Sequence, residues 1–260
     1  MFDTLYVQNK CNKENLLIGR EMHFFEIIDT TQDYLKKNHN HFAEGLTVIA
    51  SNMTKGKGRK NKNFFSPEKG LYMSVLLKPK NVKNLNFIVI YASVAVCEAI
   101  YETYGIEVDI KWVNDIFCFG KKICGILVES IFKNEKEVSA IVGFGINTNS
   151  DLKNFPSEIK DKVSTLFECT GIRIKNEEIA FRVLKNFNKI YAYYKKNKNK
   201  DILTKYKKRN FILKKNIKVI ENENSYIAKA VDLDEFGRLV IMKGKEIKIL
   251  DSEEVSLDII

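Results

Sequence analysis

The stretch from 108 to 149, VDIKWVNDIFCFGKKICGILVESIFKNEKEVSAIVGFGINTN, decides the fold. Four β-rich runs follow one another in it: Val108–Trp112, Asp115–Phe119, Ile123–Phe132 and Val138–Ile146. Only short polar turns separate them, and Gly120-Lys121-Lys122 suits a tight hairpin. With no helix between, neighbouring runs must pair antiparallel. That excludes the doubly wound nucleotide folds, which need a crossover helix after each strand. Neither GxxxxGK[ST] nor GxGxxG occurs, so any nucleotide is held in another way.

Outward from this segment, MHFFEII (22–28) reads as a strand, and Asp29, Thr30 and Thr31 offer N-cap chemistry for a short helix through Tyr34 and Leu35. Leu46–Ala50 reads as a strand, and the basic run from Ser51 to Asn63 as a loop. GLYMSVLL (70–77) restarts the sheet. Leu85–Tyr104 is apolar around most of its circumference and stops before Gly105, which predicts a buried helix. Residues 1–21 are polar and weakly patterned. Downstream, Glu177–Lys196 has an apolar stripe at helical spacing, and Ile202–Arg209 reads as a shorter helix. After about Lys214 the period changes to two. IKVI, YIAKAVDL, GRLVIM and KEIKIL are then separated by ENENS, DEFG and KGK turns. The expectation is an α+β protein with a mixed, mostly antiparallel sheet over residues 1–213, followed by a small β-barrel over 214–260.

The apolar fraction, 45%, supports a full core, and the charged fraction, 29%, is ordinary for a soluble protein. A net charge of +10 invites a nucleic-acid partner, but the lysines are spread along the whole chain rather than gathered on one stripe. The five cysteines include no CxxC pair, which suits a reducing compartment. No signal peptide is visible, and the apolar run Phe87–Cys97 is too short for a bilayer. A cytoplasmic protein that binds neither DNA nor membrane is the resulting expectation. His39 and His41 flank Asn40 without a third ligand nearby and read as a surface pair. His23 and Trp112 read as packing residues. The lysine run at 195–200 and Glu253-Glu254 read as solvated surface.

Three segments carry unusual chemistry. Lys55-Gly-Lys-Gly-Arg-Lys-Asn-Lys62 alternates glycines with cations, so backbone N–H groups and side chains can converge on an anion; a solvated basic loop is the plain alternative. Lys111-Trp-Val-Asn-Asp115 clusters a cation, an amide and a carboxylate at a strand end. Lys122-Ile-Cys-Gly125-Ile-Leu-Val-Glu129 starts an apolar strand with a lysine and includes a glycine that permits close ligand approach. Gly143-Phe-Gly-Ile-Asn147 adds two glycines on one strand face.

In this order and spacing, these segments resemble the biotin–protein ligases. That family has a GRGRxGRxW loop before SP…GLY, then KWPND, KxxGIL(V)E and GxGxN. The counterparts here are Gly56–Lys62 with Phe64, Ser66-Pro67 and Gly70-Leu-Tyr72, then Lys111–Asp115, Lys122–Glu129 and Gly143–Asn147. Asp29-Thr-Thr-Gln32 matches the family's DSTN, and the tail looks like its SH3-like barrel.

The resemblance implies a class II synthetase-like catalytic domain, of the type without an N-terminal DNA-binding domain. The reaction it implies is biotin adenylation with ATP and Mg²⁺, then transfer to a lysine of a biotin carboxyl carrier domain, by a monomer or homodimer. It casts Lys122, Lys111, Arg59 and Asp115 as catalytic, with Asp115 orienting or deprotonating the incoming lysine or meeting the adenylate. Thr30, Thr31, Gln32, Met53, Lys57, Gly58, Arg59, Lys122 and Gly125 would bind biotin. Arg59, Phe64, Lys111, Asn114 and Asn147 would bind ATP, with the metal arriving on the nucleotide and no protein metal site.

Departures from the pattern bear on affinity. Lys57 and Lys62 replace arginines and cannot grip a phosphate bidentately. Met53 stands for the ureido-binding glutamine, Gln32 for the asparagine of DSTN, Asn61 for a glycine, Phe64 for a tryptophan and Val113 for a proline. Two other readings remain. A lipoate or octanoate ligase shares the catalytic domain but usually lacks the GxGR loop and KWxND. A degenerate biotin-binding non-enzyme would show no adenylation.

Overall fold

Strand β3 (Leu71–Leu77) is buried at every residue because it lies inside the main sheet and has protein against both faces. The computed structural model describes residues 2–79, 85–133, 136–195, 199–221, 224–251 and 255–259. The main sheet also contains β1 (Met22–Ile28), β2 (Thr47–Met53), β4 (Asp109–Lys111), β5 (Asp115–Cys118), β6 (Lys121–Lys133) and β7 (Lys136–Ile146), in the order β1-β2-β3-β7-β6-β5-β4. Only β1 and β2 pair in parallel; the other neighbours are antiparallel. The mixed, mostly antiparallel expectation therefore holds.

The helices are α1 (Thr4–Lys13), α2 (Thr31–Asn38), α3 (Leu85–Tyr104), α4 (Ser157–Lys160), α5 (Leu166–Thr170), α6 (Asn176–Lys195) and α7 (Asn199–Arg209). Helix α3 matches the expected bounds. It is long and apolar enough to cross a membrane by composition, but its apolar surface packs against α6, α7 and the sheet. On β3, Leu71, Met73, Val75 and Leu77 point into that large core. The opposite face carries Tyr72, Ser74 and Leu76, and Leu76 joins Leu35, Leu46, Val48 and Ile141 beneath α2. Helix α2 is capped as the sequence suggests, with the Thr30 hydroxyl accepting from Asp33 N–H at 2.8 Å. It has only 8 residues, so it covers only part of this second face.

Two expectations need correction. Residues 1–21 contain a helix, α1, capped by Asp3 and buried only at Val7 and Cys11. Two buried positions leave no period to read. Tyr6 and Lys10 tie it to Glu178 of α6, and those hydrogen bonds, with one from Arg182, outweigh burial and hold the Glu178 carboxyl down to about 2. The basic stretch from Ser51 is not all loop: pairing of Ile27 with Asn52 and Ile28 with Met53 carries β2 beyond its apolar part.

The tail forms a separate five-stranded sheet, β8 (Asn216–Glu221), β9 (Asn224–Leu233), β10 (Leu239–Lys243), β11 (Glu246–Leu250) and β12 (Val255–Ile259), in the order β11-β10-β9-β8-β12. The ENENS turn, the lysine run at 195–200 and Glu253-Glu254 fall partly or wholly outside the described residues. Trp112 joins the two sheets: it is 4% exposed, and its indole N–H donates to the Gly237 carbonyl at 3.0 Å. This matches its reading as a packing residue. Replacing it, Trp112→Phe, leaves that buried carbonyl without its donor and should lower unfolding free energy by about 1–3 kcal/mol. Denaturant unfolding with far-UV dichroism measures the loss, and limited proteolysis should then cut first within the tail.

Candidate active site

A cavity of about 370 Å³ opens on the part of the sheet face that α2 leaves uncovered. Its floor is backbone. Gly125 on β6 pairs with Gly145 on β7, and Gly143 lies between Ser74 of β3 and Leu127 of β6. These glycines keep the floor low enough for side chains to lie flat on it. A Cβ at Gly145 would come within 2.5 Å of the Phe64 ring, and one at Gly143 within 2.9 Å of the Gln32 side chain. Phe64 thus rests on the glycine floor, with the Lys122 ammonium 5.8 Å from its ring centre.

One wall is the basic loop. Its ends are closed by the bridge between Lys57 and Asn63, and Gly58 N–H donates to Lys62 O at 2.7 Å. Gly56 accepts from Phe64 N–H at 2.9 Å. The loop crowds its cations: burial, then the charges of Arg59 and Lys62, lower the Lys60 ammonium from its ordinary value. Lys57 faces the cavity with its backbone neighbourhood, but its ammonium is bound by Asp33 at 2.8 Å, and that hydrogen bond raises its pKa.

The opposite wall is the turn between β4 and β5. Asn114 is fixed by its own amide, which donates to Ile126 O at 2.7 Å, and its backbone carbonyl accepts Ile126 N–H at 3.0 Å. Its side-chain oxygen accepts from Arg59 at 3.2 Å, which ties the loop to the turn. The Tyr206 hydroxyl holds Val113 O from behind at 2.8 Å, and the peptide bond between Trp112 and Val113 is cis. Asp115 lies 2.7 Å from the Lys122 ammonium, a charge contact without the alignment of a hydrogen bond. Both side chains are about one quarter exposed, at 25% and 27%, so the pair is open to a ligand on one side.

Thr30, Thr31, Gln32, Met53, Lys57, Gly58, Arg59, Phe64, Lys111, Asn114, Asp115, Lys122 and Gly125 all line this one cavity. Asn147 does not. Its side chain is 4% exposed and donates to Ser164 O at 3.1 Å, while its backbone accepts Leu166 N–H, so it locks the turn after β7. Ser74, Leu127 and Ile220 line the cavity without having been singled out in the sequence. Ser74 had a signal, a lone small hydroxyl in an otherwise apolar run. Ile220 had none, since it arrives from the tail. Among the described residues no group of three His, Cys, Asp or Glu side chains could hold a metal ion.

A family profile, the biotin/lipoate A/B protein ligase family, matches residues 24–147, which hold every site residue except Ile220. The bifunctional ligase/repressor BirA of Bacillus subtilis is 30% identical over 244 residues, covering 93% of this chain and 75% of that protein. This chain belongs to the biotin/lipoate A/B protein ligase family. A solved biotin protein ligase from Aquifex aeolicus, in complex with biotin and ATP, is 32% identical with a TM-score of 0.82, covering 92% of this chain and 99% of that one. The ligase of Leishmania major, at 20% identity and a TM-score of 0.63, shares the fold. The glycines of the basic loop can be ranked by what surrounds them. A Cβ at Gly56 would meet Phe64 O at 2.3 Å and Ser66 Oγ at 2.5 Å, whereas one at Gly58 would reach only Lys62 O at 3.3 Å. Gly56→Ala should therefore cost about 1–3 kcal/mol of stability and Gly58→Ala distinctly less, as read by thermal unfolding.

Proposed function

We propose that the chain joins biotin to ATP as biotinyl-5′-AMP and then passes the biotinyl group to a lysine of a biotin carboxyl carrier domain. The observation that carries this reading is the single cavity with two unlike ends. One end is enclosed by hydroxyls, sulfur and bare backbone. The other is ringed by Arg59, Lys111 and Lys122 beside one carboxylate, Asp115. Such a site suits a molecule with a compact polar ring and a carboxylate tail, delivered to a triphosphate. The similarity to a biotin protein ligase solved with biotin and ATP supports the same reading. No specific feature favours lipoate, whose dithiolane ring has no carbonyl for the hydroxyl end.

In the first step a carboxylate oxygen of biotin attacks the α-phosphorus and pyrophosphate leaves. In the second, the acceptor amine attacks the acyl carbon, AMP leaves, and the amine loses a proton. Lys122 serves the first step as the fixed cation for the carboxylate, drawn away from Asp115 as the ligand enters. Asp115 is then free to receive the acceptor's ammonium, to orient it or take its proton. Arg59 and Lys111 neutralise charge on the phosphoryl oxygens, and Asn114 sets the position of Arg59. Mg²⁺ enters only as the counter-ion of the triphosphate.

The domain boundary near residue 214, action as a monomer or homodimer, and a cytoplasmic location without DNA or membrane partners belong to the same proposal. Four buried thiols, Cys11, Cys97, Cys118 and Cys124, none in a disulfide, support a reducing compartment. The contact of Ile220 with the cavity supports a role for the tail in turnover.

Exchange of labelled pyrophosphate into ATP should depend on biotin and not be supported by lipoate; exchange with lipoate alone overturns the assignment. Lys122→Ala should lower the exchange rate by about 2–4 kcal/mol of transition-state stabilisation, the scale of one charge-stabilising group. Lys62→Ala, in the exposed loop, should cost far less because solvent screens it. Equal small losses would leave Lys122 a structural residue.

A further inference from the structure

Ser74 is an unexpected residue for its place. It is 0% exposed in the middle of a strand whose other residues are apolar apart from Tyr72, and the Tyr72 hydroxyl is already bonded to Pro67 O. Ser74 Oγ lies 2.7 Å from Thr31 Oγ1, and either can be the donor. Thr31 is 3% exposed, and its hydroxyl also points at Met53 Sδ, 3.8 Å away. All three residues line the enclosed end of the cavity.

Two hydroxyls carry two protons, and the bond between them uses one. When Ser74 is the donor, the Thr31 proton meets, among the described residues, only the Met53 thioether, a weak acceptor, so the pair holds one strong donor in reserve. Neighbouring polar groups are already committed. The Gln32 amide donates to Leu127 O at 3.3 Å, and the Thr30 hydroxyl both accepts the Asp33 N–H as a helix cap and hydrogen-bonds the Asp33 carboxylate. Met53 itself has no proton to give.

We propose that Ser74 is a positioning residue for substrate selection. It anchors the Thr31 hydroxyl so that the pair presents one O–H to a carbonyl oxygen on the ring of the bound acid. The site thereby selects a ring that accepts over one that only donates. This rests on biotin being the substrate, whose ureido oxygen is such an acceptor. It also explains how the hydroxyl end can serve without a donor at position 53. A ring with only N–H groups is disfavoured because Thr31 can accept from it only by turning to donate to Ser74, which strands the buried Ser74 proton.

The test uses the full chain and titration calorimetry with biotin and with 2-iminobiotin, whose protonated guanidinium at neutral pH offers only N–H donors. Wild type should prefer biotin. Ser74→Ala should weaken biotin about tenfold, as expected for one hydrogen bond, and erase that much of the preference. The affinities for 2-iminobiotin and for ATP should move less than twofold. Thr31→Val should give the same pattern, and adding Ser74→Ala to it should cost nothing more, because the two hydroxyls act as one donor. Equal weakening of both ring analogues would mean that Ser74 is only part of the core, and unchanged biotin affinity would also overturn the proposal. A wild-type chain that binds no biotin would refute the substrate reading itself, a result distinct from either.

Discussion

A β-sheet with seven strands has two apolar faces, and both must be covered or put to use. One face of the main sheet packs against α3 at β5, β6 and β7 and against α1 at β1, with α6 packed on α3. The other receives only the eight residues of α2, whose Leu35 closes a small cluster with Leu46, Val48, Leu76 and Ile141. What lies beyond α2 on that face is Ser74, Gly143, Gly145 and Gly125, backbone with almost no side chain. The site exists because the second layer stops short, and the rest of the architecture supplies walls around the remaining floor.

Those walls come from distant parts of the chain but hold one another. Arg59 of the basic loop is braced by Asn114, Asn114 by Ile126 of the floor strand, and Val113 by Tyr206 of α7. Trp112, in the same turn, reaches the tail at Gly237. Cations in the loop repel one another, so the loop depends on fixed partners: Asp33 for Lys57 and the Asn114 carbonyl for Arg59. Such partners arrange charge before any substrate arrives, which is the costly part of electrostatic catalysis in water.

Much of this was legible in the sequence because the signals were local. The apolar run Leu85–Tyr104 needs no partner to be read as a buried helix, and it has those bounds. Turn chemistry at Asp29–Thr31 and the change of period after Lys214 were equally local. The basic loop, the Lys111–Asp115 turn and the Lys122 strand were legible as motifs, and they do converge. What stayed hidden depends on contacts between segments. Helix α1 buries too few residues to show a period, Ile220 reaches the cavity from a separate sheet, and Ser74 gains meaning only from the Thr31 hydroxyl across the layer. Asn147 shows the converse: a residue in the right motif whose side chain is turned inward to Ser164.

Phe64 lies on Gly145 and Gly125, so its ring already covers the backbone floor of the cavity. Anything that settles there trades one apolar contact for another instead of expelling water from bare backbone. The hydrophobic gain on entry is correspondingly small, and selectivity passes to the polar groups at the two ends. The same ring lies 5.8 Å from the Lys122 ammonium, so whatever displaces it also removes an apolar neighbour from that charge.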